Sequence, residues 1–167
     1  MARARFRRDR QGRFRLGLED PERQLLAMLP RQVQELLEHD DPSTARVFPV
    51  AYPDDAKAEA DYREMMGDQL LQQHQRSLHT LAETARAATI DEGEVHEWLD
   101  AIEVLRLVLG TQLDVSEDGS MEAATDMAAE PDPRATQFTV YHYLSMLQGE
   151  IVDVLASALP ESGGSAS

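Results

Sequence analysis

The segment Glu92 to Leu113 constrains the fold more than any other part of the chain. Val95, Trp98, Leu99, Ile102, Leu105 and Leu109 recur at helical spacing along one side, and Ala101, Val104 and Val108 form a second side. A helix that is apolar on two sides has neighbours on both, so this one belongs at the centre of a helical bundle. Asp91 stands where an N-cap is needed. Arg106 sits in the densest apolar stretch, where an unpaired guanidinium would cost several kcal/mol. It must be paired or reach water by snorkelling, and the expectation is a pair with an acid outside its own helix, with Asp54, Asp55 and Asp61 as the candidates. Asp54 and Asp55 also follow Pro53 and precede a helix, where carboxylates favour the positive end of the helix dipole.

Three further helices fit around it. Asp20 with Pro21 opens a helix running to about Glu38, with Leu25, Leu26, Leu29, Val33, Leu36 and Leu37 inward. Pro30 should kink that helix or break it near Leu29. His39 to Pro53 reads as an ordered connector pinned by Val47, Phe48, Val50 and Tyr52. From about Asp54, the positions Gly67, Leu71, His74, Leu78, Leu81, Ala85 and Ala88 step by fours and threes, the rhythm of a bundle seam. A last helix spans about Ala135 to Leu159, with Val140, Leu144, Leu147, Ile151, Val154, Leu155 and Ala158 inward. The fold class expected is mainly α, a four-helix-type bundle preceded by a small N-terminal β-hairpin. Its organisation is a basic hairpin over 1–18, an acidic bundle over 19–159 with a mobile acidic loop at about 116–134, and a disordered tail over 160–167. Met121 to Ala129 could form a short helical turn within that loop.

The hairpin is read from a period of two. Ala2, Ala4 and Phe6 alternate with Arg3, Arg5 and Arg7; after Asp9 to Gly12, Phe14, Leu16 and Leu18 alternate with Arg13 and Arg15. An isolated hairpin is only marginally stable, so the Phe6, Phe14 and Leu16 face should lie on the helices. Charge is divided in the same place. Residues 1–17 carry seven arginines against Asp9, or +6, and the remaining residues carry nine basic against thirty acidic side chains, or −21. So acidic a body repels a phosphate backbone over most of its surface, which leaves the hairpin for phosphate contacts. Arg3, Arg5, Arg7, Arg13 and Arg15 are the candidate partner-binding or nucleic-acid-binding residues. The competing reading has these arginines solvated or paired with the protein's own acids.

Composition and motifs narrow the function classes. The chain has no cysteine, which excludes disulfides, thiolate metal ligands, a cysteine nucleophile and a thiol redox switch. It has no run near the roughly 20 apolar residues of a membrane helix and no secretory h-region, so a cytoplasmic location away from membranes is expected. None of the five histidines has an acid three residues before it, as a di-iron helix motif requires. His96-Glu97 resembles the start of a zinc-protease helix, but Asp100 stands where the second histidine would be. His74 lies on a core stripe and reads as a packed residue. No catalytic residue, metal or cofactor is expected.

Two blocks, Arg46-Val-Phe-Pro-Val-Ala-Tyr-Pro-Asp-Asp-Ala-Lys-Ala-Glu-Ala-Asp-Tyr-Arg63 and Trp98 to Asp118, resemble the actinobacterial family named for the oxidative-stress regulator AosR. The Arg- and Phe-rich start and Tyr141-His-Tyr-Leu-Ser-Met-Leu-Gln-Gly-Glu-Ile-Val-Asp-Val-Leu155 extend the resemblance from Arg3 to about Leu155. It implies a non-enzymatic regulator associated with transcription, whose basic hairpin meets DNA, polymerase or a sigma factor. Family members tend to lie near genes for the Clp protease adaptor and for sulfur metabolism. The alternative is thus an adaptor or scaffold for Clp-type proteolysis, with the acidic body docking a basic partner. The missing cysteine departs from thiol-based sensing, leaving a partner, a ligand or oxidation of Met121 and Met127 as inputs. A homo-oligomer stays open.

Overall fold

The computed structural model describes residues 4–48, 51–113 and 134–158. In chain order these form strands β1 (Phe6–Arg8) and β2 (Phe14–Leu16), helix α1 (Asp20–Glu38), a 3-10 helix (Pro42–Val47), helix α2 (Ala56–Thr84), strand β3 (Thr89–Ile90), and helices α3 (Glu92–Gln112) and α4 (Ala135–Ala158). The fold is mainly helical, with the helices packed together and a small antiparallel sheet of order β1-β2-β3 at the N-terminus. The expected hairpin is present. Its third strand was not anticipated, because the stripe through Ala85 and Ala88 reads as continued helix whereas α2 ends at Thr84.

α3 occupies the centre. Val95, Trp98, Ala101, Ile102, Val104, Leu105 and Val108 are all buried, so both expected sides meet neighbours. Asp91 caps it by accepting the Glu94 N–H at 2.8 Å, while Glu94 accepts the Asp91 N–H at 2.9 Å. The Trp98 indole N–H donates to Thr84 Oγ1 at 2.7 Å, and its ring meets Phe6 edge-on at 6.0 Å. A buried aromatic with a polar edge is thereby satisfied, and strand β1 is fixed to the core.

The cap of α1 lies one residue before Asp20, the cap expected from the sequence, so the helix itself starts at Asp20. Glu19 is the N-cap, and Glu22 accepts the Glu19 N–H at 2.8 Å. The helix then runs through Pro30 to Glu38, so of the two outcomes expected there, a kink or a break near Leu29, the break does not occur. Pro30 removes one backbone donor, but its ring is buried on the same face as Leu26, Val33 and Leu37, and burial of that face holds the helix together. In the connector, the Asp41 carboxylate accepts the Ser43 N–H and hydroxyl at 2.9 and 2.6 Å. Thr44 and Val47 are buried and Phe48 packs on the core. Tyr52 instead lies exposed against Tyr62, with ring centroids 6.0 Å apart. Val50, the acidic segment at 116–133 with Met121 and Met127, and the tail at 160–167 lie outside the described residues.

α2 divides into two halves. Its seam is buried at His74, Leu78, Leu81 and, just past its end, Ala85. From Ala56 to Gln73 no side chain is fully buried, and Met65 is 74% exposed. The first half of α2 therefore stands out from the bundle among the described residues.

One side chain ties the sheet to the helices. From α1, Arg23 donates to the carbonyls of Leu18 at 3.1 Å, Leu16 at 2.9 Å, Ala85 at 3.1 Å and Ala87 at 2.7 Å. Two of these acceptors belong to the β2 end and two to the turn after α2. A planar fork with five donors suits four convergent carbonyls, which a lysine could not serve together.

Candidate functional site

β1 and β2 pair in the register Phe6↔Leu16, Arg7↔Arg15 and Arg8↔Phe14. Phe6, Phe14 and Leu16 are buried, so the apolar face lies on the helices as the alternation required. The turn is built by Asp9, whose carboxylate accepts the backbone N–H of Gln11 and of Arg13, each at 2.9 Å. Gly12 completes it at φ +80°, a conformation that side chains rarely adopt. Just beyond β2, a Cβ on Gly17 would stand 2.8 Å from the Ala4 carbonyl oxygen, so only glycine lets the chain start pass this closely.

The five arginines expected to act together separate. Arg3 lies outside the described residues. Arg5 turns to the body, pairing with Glu22 at 2.5 Å and Glu150 at 3.2 Å beside the Tyr143 ring. The Glu22 hydrogen bond holds Arg5 more firmly protonated than usual. Burial pushes the Glu22 carboxyl up, but the Glu19 N–H and Arg5 outweigh that and hold it below its ordinary value. Burial and then the Glu22 charge push the Tyr143 phenol well above its ordinary value. Arg5 is thus a structural residue, bound between α1 and α4. Arg13 donates to the Thr89 hydroxyl at 3.1 Å and the Thr89 carbonyl at 3.4 Å, which ties β2 to β3.

Arg7 and Arg15 remain. They face one another directly across the strands, both exposed, and neither meets an acid of the described residues. Like charges directly opposite each other on a sheet are destabilising. Arg10 at the turn is exposed as well. Arg8 lies across the Phe14 ring at 5.7 Å, on the edge of the buried face. Arg7, Arg8, Asp9, Arg10, Gln11 and Arg15 line an open depression of about 440 Å³.

The expected ion pair of Arg106 with Asp54 or Asp55 does not form. Arg106 faces α4: its Nε donates to Ser145 Oγ at 2.9 Å, and one terminal nitrogen donates to Gln148 Oε1 at 2.6 Å and to Glu103 Oε2 at 3.2 Å. Its guanidinium lies over the Tyr141 ring at 5.4 Å. The side chain keeps 25% of its surface in contact with solvent, so no second buried charge is required. Asp54 and Asp55 are exposed at the start of α2, where Asp55 accepts the Ala58 N–H at 3.1 Å as a cap.

His74 is buried as expected. Its Nδ1 lies 3.4 Å from Asp100, its ring meets Phe48 edge-on, and Nε2 has no partner in the described structure. Burial raises the Asp100 carboxyl, but hydrogen bonds from His74 and Ser77 outweigh it and hold the group below its ordinary value. Asp100 therefore turns to α2 and not to its helix neighbour His96. Among the described residues no group of three or more His, Cys, Asp or Glu side chains could hold a metal, and no helix is long and apolar enough to cross a membrane.

Fold and site together define a class: an acidic helical bundle capped by a small sheet whose outer side presents opposed, unneutralised arginines. A family model described as a domain of unknown function (DUF2017) matches residues 2–155, and the chain belongs to that family. No curated protein and no solved structure matches it.

Proposed function

We propose that the chain is a non-enzymatic regulatory protein associated with transcription under oxidative stress, as its resemblance to the AosR family implies, and that it engages an anionic partner through Arg7 and Arg15. The observation that carries this reading is the placement of those two arginines. In a chain of net charge −15 they stand directly opposed on an exposed face, in no ion pair with an acid of the described residues, while the nearby Asp9 has its Oδ1 engaged by the turn's backbone N–H groups. Arginines serving only solubility have no reason to be opposed in register, whereas a bound anion would relieve their repulsion. The partner is a sigma factor, polymerase or DNA. The test is binding of purified polymerase, sigma factor and duplex DNA by fluorescence anisotropy across a salt series, using the wild type and Arg7→Ser/Arg15→Ser. Contacts to DNA give a log–log salt slope of about −0.9 per neutralised phosphate. Undiminished binding by the double variant overturns the reading.

The second reading, an adaptor for Clp-type proteolysis, is favoured by the first half of α2. Asp54, Asp55, Asp61, Glu64 and Asp68 are exposed there together with Met65 and Met66. An acidic helix with exposed methionines suits a basic, partly apolar partner. A variant carrying Asp61→Asn, Glu64→Gln and Asp68→Asn would lose such a partner while keeping hairpin-dependent binding.

A further inference from the structure

We propose that the depression at the hairpin turn is a binding site for a ligand carrying a polyphosphate chain. This goes beyond the hairpin reading given above and rests on its premise that Arg7 and Arg15 form an anion site: the same two side chains would take a small ligand in competition with the macromolecular partner. The cross-strand register brings Arg7 and Arg15 onto the same outer face from directly opposed positions, with Arg10 exposed at the turn beside them. A single carboxylate has two oxygens and one charge, which one guanidinium fork satisfies. Two opposed forks call for an acceptor with more oxygens and more than one negative charge, and a polyphosphate chain supplies both.

The residues present suit such a ligand, through an arginine preference that the whole chain shares. All seven basic side chains of the first 17 residues are arginine, and the whole chain has one lysine, Lys57. Arginine presents a fixed planar fork to phosphate oxygens, whereas lysine offers a point charge. Asp9, the acid of the turn, has its Oδ1 committed to the Gln11 and Arg13 N–H groups. At about 440 Å³ the depression falls within the size range of small-molecule sites. Its lining is four arginines with Asp9 and Gln11, a set rich in donors to phosphate oxygens.

The probe is inorganic triphosphate, titrated into the full-length protein and followed by amide chemical shifts at fixed ionic strength, with sulfate and a short DNA duplex as parallel arms. The expected result is saturable shifts confined to residues 7–15, with triphosphate binding at least about tenfold more tightly than sulfate. Arg7→Ser/Arg15→Ser abolishes the shifts. Arg7→Lys/Arg15→Lys, which keeps the charge and loses the forks, weakens them, and Arg31→Ser leaves them unchanged. Shifts equal to those from sulfate, or retained in the Ser double variant, overturn the proposal. Binding of the duplex without triphosphate overturns it in favour of a nucleic-acid backbone. If triphosphate fails while the Ser double variant still loses polymerase or sigma factor, the hairpin reading stands and this inference falls. If that partner binding also survives, both fall.

Discussion

Replacing Arg23 by methionine removes a clamp whose contribution can be worked from its geometry. Four carbonyls, of Leu16, Leu18, Ala85 and Ala87, lose their donor at once. A hydrogen bond from a charged donor contributes about 1.5–3 kcal/mol, but Arg23 is only half-buried, so water can reach some of these carbonyls. At about 1 kcal/mol for each bond after rehydration, and with some packing recovered by the methionine stem, the loss is about 3 kcal/mol. For a domain of this size that corresponds to a fall in Tm of roughly 6–12 °C. Equilibrium urea unfolding, monitored by the fluorescence of Trp98, measures the change directly. Arg31→Met is the matched control, because it too leaves α1 to reach α2 but only through an exposed pair with Glu83 at 2.5 Å, and it should change stability by less than about 0.5 kcal/mol. If Arg23→Met also stays within about 0.5 kcal/mol, the sheet is not held to the helices in the way described.

Thr84→Val leaves the buried Trp98 N–H without its acceptor and should destabilise by about 1–3 kcal/mol, read from the urea midpoint; no change would mean the indole reaches water. Arg106→Met should cost about 1–2 kcal/mol and not the larger sum of a buried ion pair, because Glu103 keeps a hydrogen bond from Gln148 at 2.6 Å and can be solvated. A loss above about 4 kcal/mol would show that Glu103 is left buried and uncompensated. Asp100 has a folded value below its ordinary 3.8, so its contribution is fully present above that pH and is lost as pH falls through the lower folded value. Midpoints measured from pH 5 down to pH 2.5 should fall less steeply for Asp100→Asn than for the wild type, and parallel curves would count against the His74 and Ser77 hydrogen bonds.

The parts legible in the sequence are those governed by local periodicity. Two apolar sides on one helix placed α3 at the centre, Asp91 was identifiable as a cap, and alternation placed Phe6, Phe14 and Leu16 inward. The rest depends on which backbones and side chains the packing brings together. β3 has two residues, too few to show any period, and it follows a stripe that continues to look helical. Alternation assigned Arg5 to the face of Arg7 and Arg15, but it could not register that Glu22 of α1 and Glu150 of α4 would close on it. Arg106 was expected to meet an acid outside its own helix, but the acid it meets is Glu103 of the same helix and its other partners, Ser145 and Gln148, are neutral; nothing local says that α4 rather than the start of α2 lies across from it. Arg23 left no signal, because its acceptors are backbone carbonyls, two of them more than sixty residues away.

The central claim is that the opposed arginines of the hairpin, and not the acidic arm of α2, meet the partner. It is tested most directly by placing a photo-crosslinking residue at Gln11 in one variant and at Met65 in another, both exposed, and identifying what each captures in cells under oxidative stress. The account predicts that Gln11 captures polymerase, sigma factor or DNA, and that the adduct disappears when Arg7→Ser and Arg15→Ser are added. Adducts from Met65 alone, consisting of Clp components and indifferent to those two arginines, would contradict it.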